Sequence, residues 1–346
     1  MRVVRGRDEP GANADLWDGI AWTSEQSERE YFLAERGEPL ALFDGASALI
    51  GRVDERRLES RVGYVRVYAP KLRILRVVDA VDEVAELART ALQEVDVVAV
   101  PALPLDSAAY RSLEPLGPPR FTPSWTRRLL VLPESFDAFL ASRSRKIRAG
   151  VRYDAKRLEE GIDARVAIHR DWSEGLVEQL ESVAGTTYQR RLGAGFSRER
   201  AEVLRVALEH GWGRVYLLHD AERAIAFWWC GVHKGTMRLN TTGYLQEYAK
   251  IRPGVYLLMR VIEDAIADPT LRVLDFGPGR SDYKRHFSND GYEERNLLLF
   301  APTFRARRAR VVRTAIAGAT YGARRVLDAT GATQRVKTAW RRRLRA

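Results

Sequence analysis

The sequence predicts a duplicated α/β protein: two units, each a mixed sheet flanked by helices, followed by a basic helical tail. Three observations lead there. One order of elements recurs at one offset, because Asp44 and Asp220 each end an apolar run at a turn 176 residues apart. Ala48 and Ala224 share that separation, and so do Val97 and Val273. An amphipathic helical pattern precedes each of the later strands, Val81–Glu94 in the first half and Val255–Ala267 in the second. Finally, residues 304–346 hold 13 Lys and Arg against one acidic residue, while the rest of the chain holds 44 basic and 45 acidic residues. A body of charge −1 with a tail of +12 is the better description of a chain whose total is +11. The expected divisions are 1–135, 136–302 and 303–346.

Taken in order, Leu40–Val53 (LALFDGASALIGRV) reads as strand, turn at Asp44-Gly45, and strand. The helix Val81–Glu94 follows, then the strand EVDVVAV. Pro133-Glu134-Ser135 opens a new segment in which Ser135 caps a short helix, Phe136–Ser142. Ser144 caps a longer one, Arg145–Glu160, ended by Gly161. On it Arg145, Arg148, Arg152 and Lys156 form one stripe, and Ile147, Val151, Ala155 and Leu158 form the side toward a core. Such a stripe is either a solvated face or the wall of a groove facing an anion.

Val215–Val232 (VYLLHDAERAIAFWWCGV) repeats the hairpin, with Trp228, Trp229 and Cys230 as sheet packing. Pro253 suits the first position of the helix that follows, and Gly254 leaves its first turn open. Unpaired N–H groups there, with Lys250 and Arg252 beside them, suit a pyrophosphate. Leu271, Val273 and Leu274 form a short buried strand closed by Asp275. Gly277-Pro278-Gly279 then bends the chain, and Asp282-Tyr283-Lys284-Arg285-His286 places five titratable side chains in a row. A carboxylate, a phenol and a lysine at a strand's carboxyl end suit an acyl- or phosphate-handling site. A polar turn with a structural aspartate is the plainer reading.

Composition narrows the class. With 346 residues, 45% of them hydrophobic, and 8 Trp, 13 Tyr and 11 Phe, the chain can fill globular cores. The single cysteine, Cys230, excludes an internal disulfide and fits a reducing compartment. No run approaches the roughly 20 apolar residues of a membrane span, and MRVVRGRDEP leads into no signal-peptide pattern. The expected location is therefore the cytoplasm, with the inner membrane face as a variant of it. His169, His210, His219 and His233 show no ligand spacing, so no metal is expected. Neither GxSxG nor a Walker loop occurs, which weighs against serine hydrolases and P-loop NTPases.

Five stretches carry a family resemblance: SRSRKIRAGVRYDAKRLEEG, Tyr188 with Phe196 in TTYQRRLGAGF, RAIAFWWCGVHKG, GYLQEYAKIRPGVYLLMRVIEDA and LDFGPGRSDYKRHF. Over roughly Phe136 to Leu299 they resemble the GNAT acyltransferase superfamily, in particular its FemAB-like, CelD (BcsL)-type branch of polysaccharide gene clusters. The resemblance implies tandem GNAT-like lobes and transfer of an acetyl group from acetyl-CoA. The acceptor would be an amine or hydroxyl of a sugar or cell-envelope precursor, attacking the thioester directly.

It implies that Tyr248, Lys250, Arg252, Pro253 and Gly254 hold the CoA, although that loop is poorer in glycine than the family's pyrophosphate loop. It places Arg148, Arg152, Phe196 and Tyr244 at the acceptor. Asp275 would orient or deprotonate the acceptor, and Lys284 would hold substrate or balance developing charge, unless the two merely pair with each other. Tyr283, Tyr248 or Tyr188 would protonate the leaving thiolate. Two alternatives remain: a Fem-like peptidyltransferase using aminoacyl-tRNA, and a non-catalytic, membrane-recruited subunit of a synthase complex. The tail, which reads as two or three short helices, suits an anionic membrane, an RNA backbone or an acidic partner.

Overall fold

A computed structural model describes residues 1–6, 13–62, 65–117, 122–185, 195–279 and 281–329. In chain order the elements begin with β1 (Arg2–Arg5), α1 (Ala14–Asp18), α2 (Arg29–Ala34), β2 (Glu38–Asp44), β3 (Ser47–Val62) and β4 (Val65–Val81). Then come α3 (Ala85–Glu94), β5 (Val97–Pro104), α4 (Ala108–Leu113), β6 (Trp125–Val131), α5 (Phe136–Ala141) and α6 (Arg145–Gly161). They continue with β7 (Ala164–His169), α7 (Leu176–Ala184), α8 (Ala201–Glu209), β8 (Gly213–Asp220), β9 (Arg223–His233) and β10 (Thr236–Tyr244). The last are α9 (Pro253–Ala267), β11 (Val273–Asp275), α10 (Asp282–Phe287), β12 (Asp290–Phe300) and α11 (Phe304–Ala329).

The chain forms two compact units. The first comprises Met1–Ala21, Gly37–Ser124 and Glu294–Ala346, and the second comprises Trp22–Arg36 and Trp125–Glu293. The sequence places divisions at 135 and 302 instead. Backbone pairing accounts for the difference, since β6 is laddered to β11 and the end of β12 to β5.

The two units repeat each other. The first orders its strands β1-β2-β3-β4-β5-β12, and the second β7-β8-β9-β10-β11-β6. In the first unit the fourth pairing, β4 with β5, is parallel and all the others are antiparallel. The second unit matches it, with β10 on β11 as the parallel pair. The offset holds to the residue: β2 and β8 close at Asp44 and Asp220, and β5 and β11 open at Val97 and Val273. A shared period of turns and helices therefore carries a shared topology, as the sequence implied.

Each unit has its own apolar core. Leu42, Leu75, Leu87 and Val98 belong to the core of the first unit, and Leu204, Phe227, Leu257 and Leu274 to that of the second. Caps agree with the sequence where a hydroxyl is in place: Ser135 accepts from the Ala138 N–H at 3.1 Å and Ser144 from the Ile147 N–H at 3.4 Å. Two boundaries differ. α5 stops at Ala141, where Ser142 turns its hydroxyl back onto the Phe139 carbonyl at 2.7 Å. α3 starts at Ala85, because β4 runs on to Val81 and Asp82 makes a left-handed corner at φ 63°. The described part of the tail, Phe304–Ala329, is one continuous helix, α11, and the rest of the expected tail lies outside the described residues. No proline interrupts Phe304–Ala329, and Gly318 and Gly322 weaken a helix without ending it.

Candidate active site

The second unit contains a fork between parallel strands. β10 pairs with β11 only from Thr236 to Arg238, against Val273 to Asp275. The Phe276 N–H then bonds to the Arg128 carbonyl of β6, so the chain follows β6 and leaves β10. From Leu239 to Tyr244, β10 keeps β9 on one side, and among the described residues no strand covers its other edge. That edge is a row of backbone donors and acceptors ready for an extended ligand. A bulge between Leu239 and Thr241 also takes Asn240 out of register with β9.

At the root of the fork lies Asp275, 3% exposed. Its Oδ1 accepts from Arg127 Nε at 2.7 Å and from the Gly277 N–H at 2.9 Å. Its Oδ2 accepts from Arg127 Nη2 at 2.6 Å and Arg238 Nε at 3.2 Å. Burial pushes this carboxyl's pKa up, but the bidentate Arg127 contact, Arg238 and the Gly277 N–H outweigh it and hold the group below the usual range. A carboxylate with four donors on two oxygens orients its surroundings; it is a poor base.

Lys284 grips the same turn through its backbone carbonyls. Its Nζ donates to the Gly277 and Pro278 carbonyls at 3.0 and 2.5 Å. The turn is thus gripped from both sides, its N–H by Asp275 and its carbonyls by Lys284. Tyr283, the next side chain on α10, packs edge-on to Phe276 at 6.3 Å. Burial pushes its phenol up to about 12, so it stays protonated at neutral pH.

The other end of the β10 edge meets the start of α9. Gly254 lies against the Tyr244 ring, where an added Cβ would sit 3.6 Å from it. Arg238 and Tyr244 are six residues apart, about 20 Å of strand. Among the five residues expected at the CoA, two are tied to the protein: Tyr248 Oη donates to Asp220 at 2.9 Å, and Arg252 Nη1 to Asp154 at 2.7 Å. Arg252 also takes the left-handed conformation (φ 54°) that admits Pro253 as the first residue of α9. Lys250 is exposed, and at the helix's first turn the Val255 and Tyr256 N–H groups donate to the Arg252 carbonyl at 3.0 and 3.3 Å. Tyr216 and Arg214 hold Asp264 at 2.6 and 3.0 Å, fixing the far end of α9 on β8.

The expected acceptor residues separate. Arg148 donates to the Ala141 and Arg143 carbonyls, closing the end of α5. Arg152 is exposed on α6, whose Ile147, Val151 and Ala155 face the core as expected. Phe196 is a correction: it is fully buried, edge-on to Phe227 at 6.5 Å and Trp229 at 6.0 Å, so it builds the core. Tyr244 alone stands at the free edge. Tyr188 lies outside the described residues.

Three residues of this network escaped sequence reasoning: Arg127, Arg238 and Glu25. Glu25 is buried, accepts from Asn240 Nδ2 at 3.1 Å, and lies 3.6 Å from Arg238 Nη1. It brings the segment Trp22–Arg36 into the second unit, supported by Glu28 on His233 at 2.7 Å and Glu35 on Arg200 at 3.2 Å. Only Arg127 had a signal, as a charge on an apolar strand, WTRRLLV. Gly231 makes the room, since a Cβ there would stand 2.1 Å from Glu25 Oε1. Gly231→Ala is therefore expected to expel Glu25 and speed amide hydrogen exchange across 22–36. Unchanged exchange there would show that Glu25 does not hold the segment.

The first unit has the same fork without these groups. Ala99 takes the place of Asp275 in the parallel ladder, opposite Arg76 as Asp275 is opposite Arg238. Asp82 and Glu83 precede its helix where the second unit has Lys250 and Arg252, and they would repel an anion. Among the described residues, no group of three or more His, Cys, Asp or Glu gathers to hold a metal ion.

Residues 145–285 match the family model described as acetyltransferase (GNAT) domain. Among solved structures, the chain resembles L-PGS from Bacillus licheniformis at 12% identity and a TM-score of 0.57, covering 92% of this chain and 99% of that one. It also resembles FemX at 11% identity and a TM-score of 0.54, over 90% of this chain and 100% of that one. Comparison with curated proteins finds no match.

Proposed function

From a GNAT acyltransferase domain over residues 145–285, set in a FemAB-like fold, we propose that the chain moves an acetyl group from acetyl-CoA to an amine or hydroxyl of a saccharide or cell-envelope precursor. The observation that carries this reading is the edge of β10 that no strand among the described residues pairs with, running from the Asp275 fork to the start of α9. Acyl-CoA would supply an activated carbonyl and a thiolate leaving group. The β10 edge would hold its extended arm, and the first turn of α9 with Lys250 its phosphates. In the transfer the acceptor atom bonds to the thioester carbon and gives up its proton to solvent, the C–S bond breaks, and the thiolate takes a proton. Tyr283, protonated at neutral pH, is the proposed donor for that step, and burial, which pushes its phenol up to about 12, makes it a weaker acid than a free tyrosine. Asp275 and Lys284 act by fixing the turn at the fork, and the charged state of Asp275 makes it an orienting group.

One observation favours a second reading. With Arg252 engaged by Asp154 and a single glycine at the helix start, this phosphate site is sparse. An aminoacyl group delivered by tRNA, as in Fem-like peptidyltransferases, needs no pyrophosphate cradle. Calorimetric titration with acetyl-CoA, beside free pantetheine, separates the two. Micromolar binding weakened about tenfold by Lys250→Glu (about 1.4 kcal/mol) supports the acetyl donor. No binding by folded protein, with acyl transfer from aminoacyl-tRNA, would replace it.

A further inference from the structure

The first two turns of helix α11 are built the reverse of an ordinary surface helix. Its inner side, packed on Leu72, Ile74 and Val97 of the first unit, carries the small residues Ala306 and Ala309. Over its first two turns the bulky apolar residues point outward: Phe304 is 83% exposed and Val311 68%. A helix that only needed to cover a sheet would bury Phe and Val and expose Ala. At 3.6 residues per turn, Phe304, Arg308 and Val311 share one side, with Arg307 at its flank. Arg307, Arg308 and Arg310 are exposed, whereas Arg305 is paired with Asp96. Beyond the described side chains the sequence adds eight further Lys and Arg and one acid. None of the helices in the described residues is long and apolar enough to cross a membrane.

We propose that the outer side of α11 docks on an anionic lipid bilayer, with Phe304 and Val311 entering the interface and the arginines meeting headgroup phosphates. Charge complementarity selects the partner's sign, and the outward apolar side chains select its kind. A phosphate backbone would engage the arginines but offers nothing to Val311, whereas a bilayer accepts both. This inference does not depend on which acyl donor the second unit uses.

The test is co-sedimentation of the full chain with phosphatidylcholine vesicles, with and without phosphatidylglycerol. Binding is expected only where phosphatidylglycerol is present. Arg307→Ala/Arg308→Ala should weaken it roughly thirtyfold, from about 1 kcal/mol for each basic residue. Phe304→Glu/Val311→Glu should weaken it at least tenfold, and both positions are exposed enough to leave the fold intact, as circular dichroism would check. No sedimentation with anionic vesicles, or equal sedimentation with neutral ones, overturns the proposal. So does polyuridylate binding in place of vesicle binding that Phe304→Glu/Val311→Glu leaves unchanged, which would make the helix a nucleic-acid face.

Discussion

Arg127→Ala is expected to destabilise the second unit by about 3–5 kcal/mol, the cost of leaving a buried charge without its partner. The pair is 2.6–2.7 Å across two bonds, and both side chains are almost wholly buried. Arg238 remains in the variant, but at 3.2 Å through one nitrogen it replaces only part of that contact. The pH dependence fixes the sign. In the wild type the carboxyl's pKa is lower folded than unfolded. Its stabilisation is thus fully present above the unfolded value of about 4 and lost as pH falls through the folded one. Without Arg127, burial dominates and the folded value rises, so acid unfolding should begin at a higher pH. Urea titrations followed by tryptophan fluorescence across the acid range would measure both effects. A variant as stable as the wild type, with the same acid limb, would mean that Asp275 is not held as described.

How much of this was legible depended on whether the signal was local. The duplication was readable because turns at Asp44 and Asp220 and strands at Val97 and Val273 are short-range patterns with a fixed spacing. The caps at Ser135 and Ser144 were readable for the same reason. Asp275, Lys284 and the glycine turn could be named as a group, since they lie within ten residues of one another. Their partners could not. Arg127 lies 148 residues from Asp275, and Glu25 lies 215 from Asn240. No spacing rule reaches that far, so the sequence left Asp275 as either an orienting group or a base, and only its donors distinguish the two. Phe196 differs: the family resemblance placed it at the acceptor, and only its packing on Phe227 and Trp229 shows it built into the core.

Gly277→Ala is expected to lower the kcat/KM of acyl transfer by about a hundredfold, the scale of a displacement near 1 Å at a reacting centre. Two independent constraints act on this residue. Its φ is +72°, a region that costs an L-residue about 1–2 kcal/mol. An alanine Cβ would also stand 2.9 Å from the Leu239 carbonyl, which belongs to the backbone of β10 and cannot turn aside. The methyl group must therefore push the turn away from β10 and widen the fork at the end of the edge proposed to hold the acyl-CoA arm. The displacement also strains the bond from the Gly277 N–H to Asp275 and those from Lys284 to the Gly277 and Pro278 carbonyls. Gly45→Ala is the control for backbone conformation alone, because φ there is +59° and nothing lies within 4 Å of the added carbon. It should cost a similar amount of conformational strain and leave transfer unchanged. Equal turnover of Gly277→Ala and wild type, in protein shown to be folded, would remove the fork from the site, since a reaction between β10 and β11 cannot ignore a methyl group wedged between them.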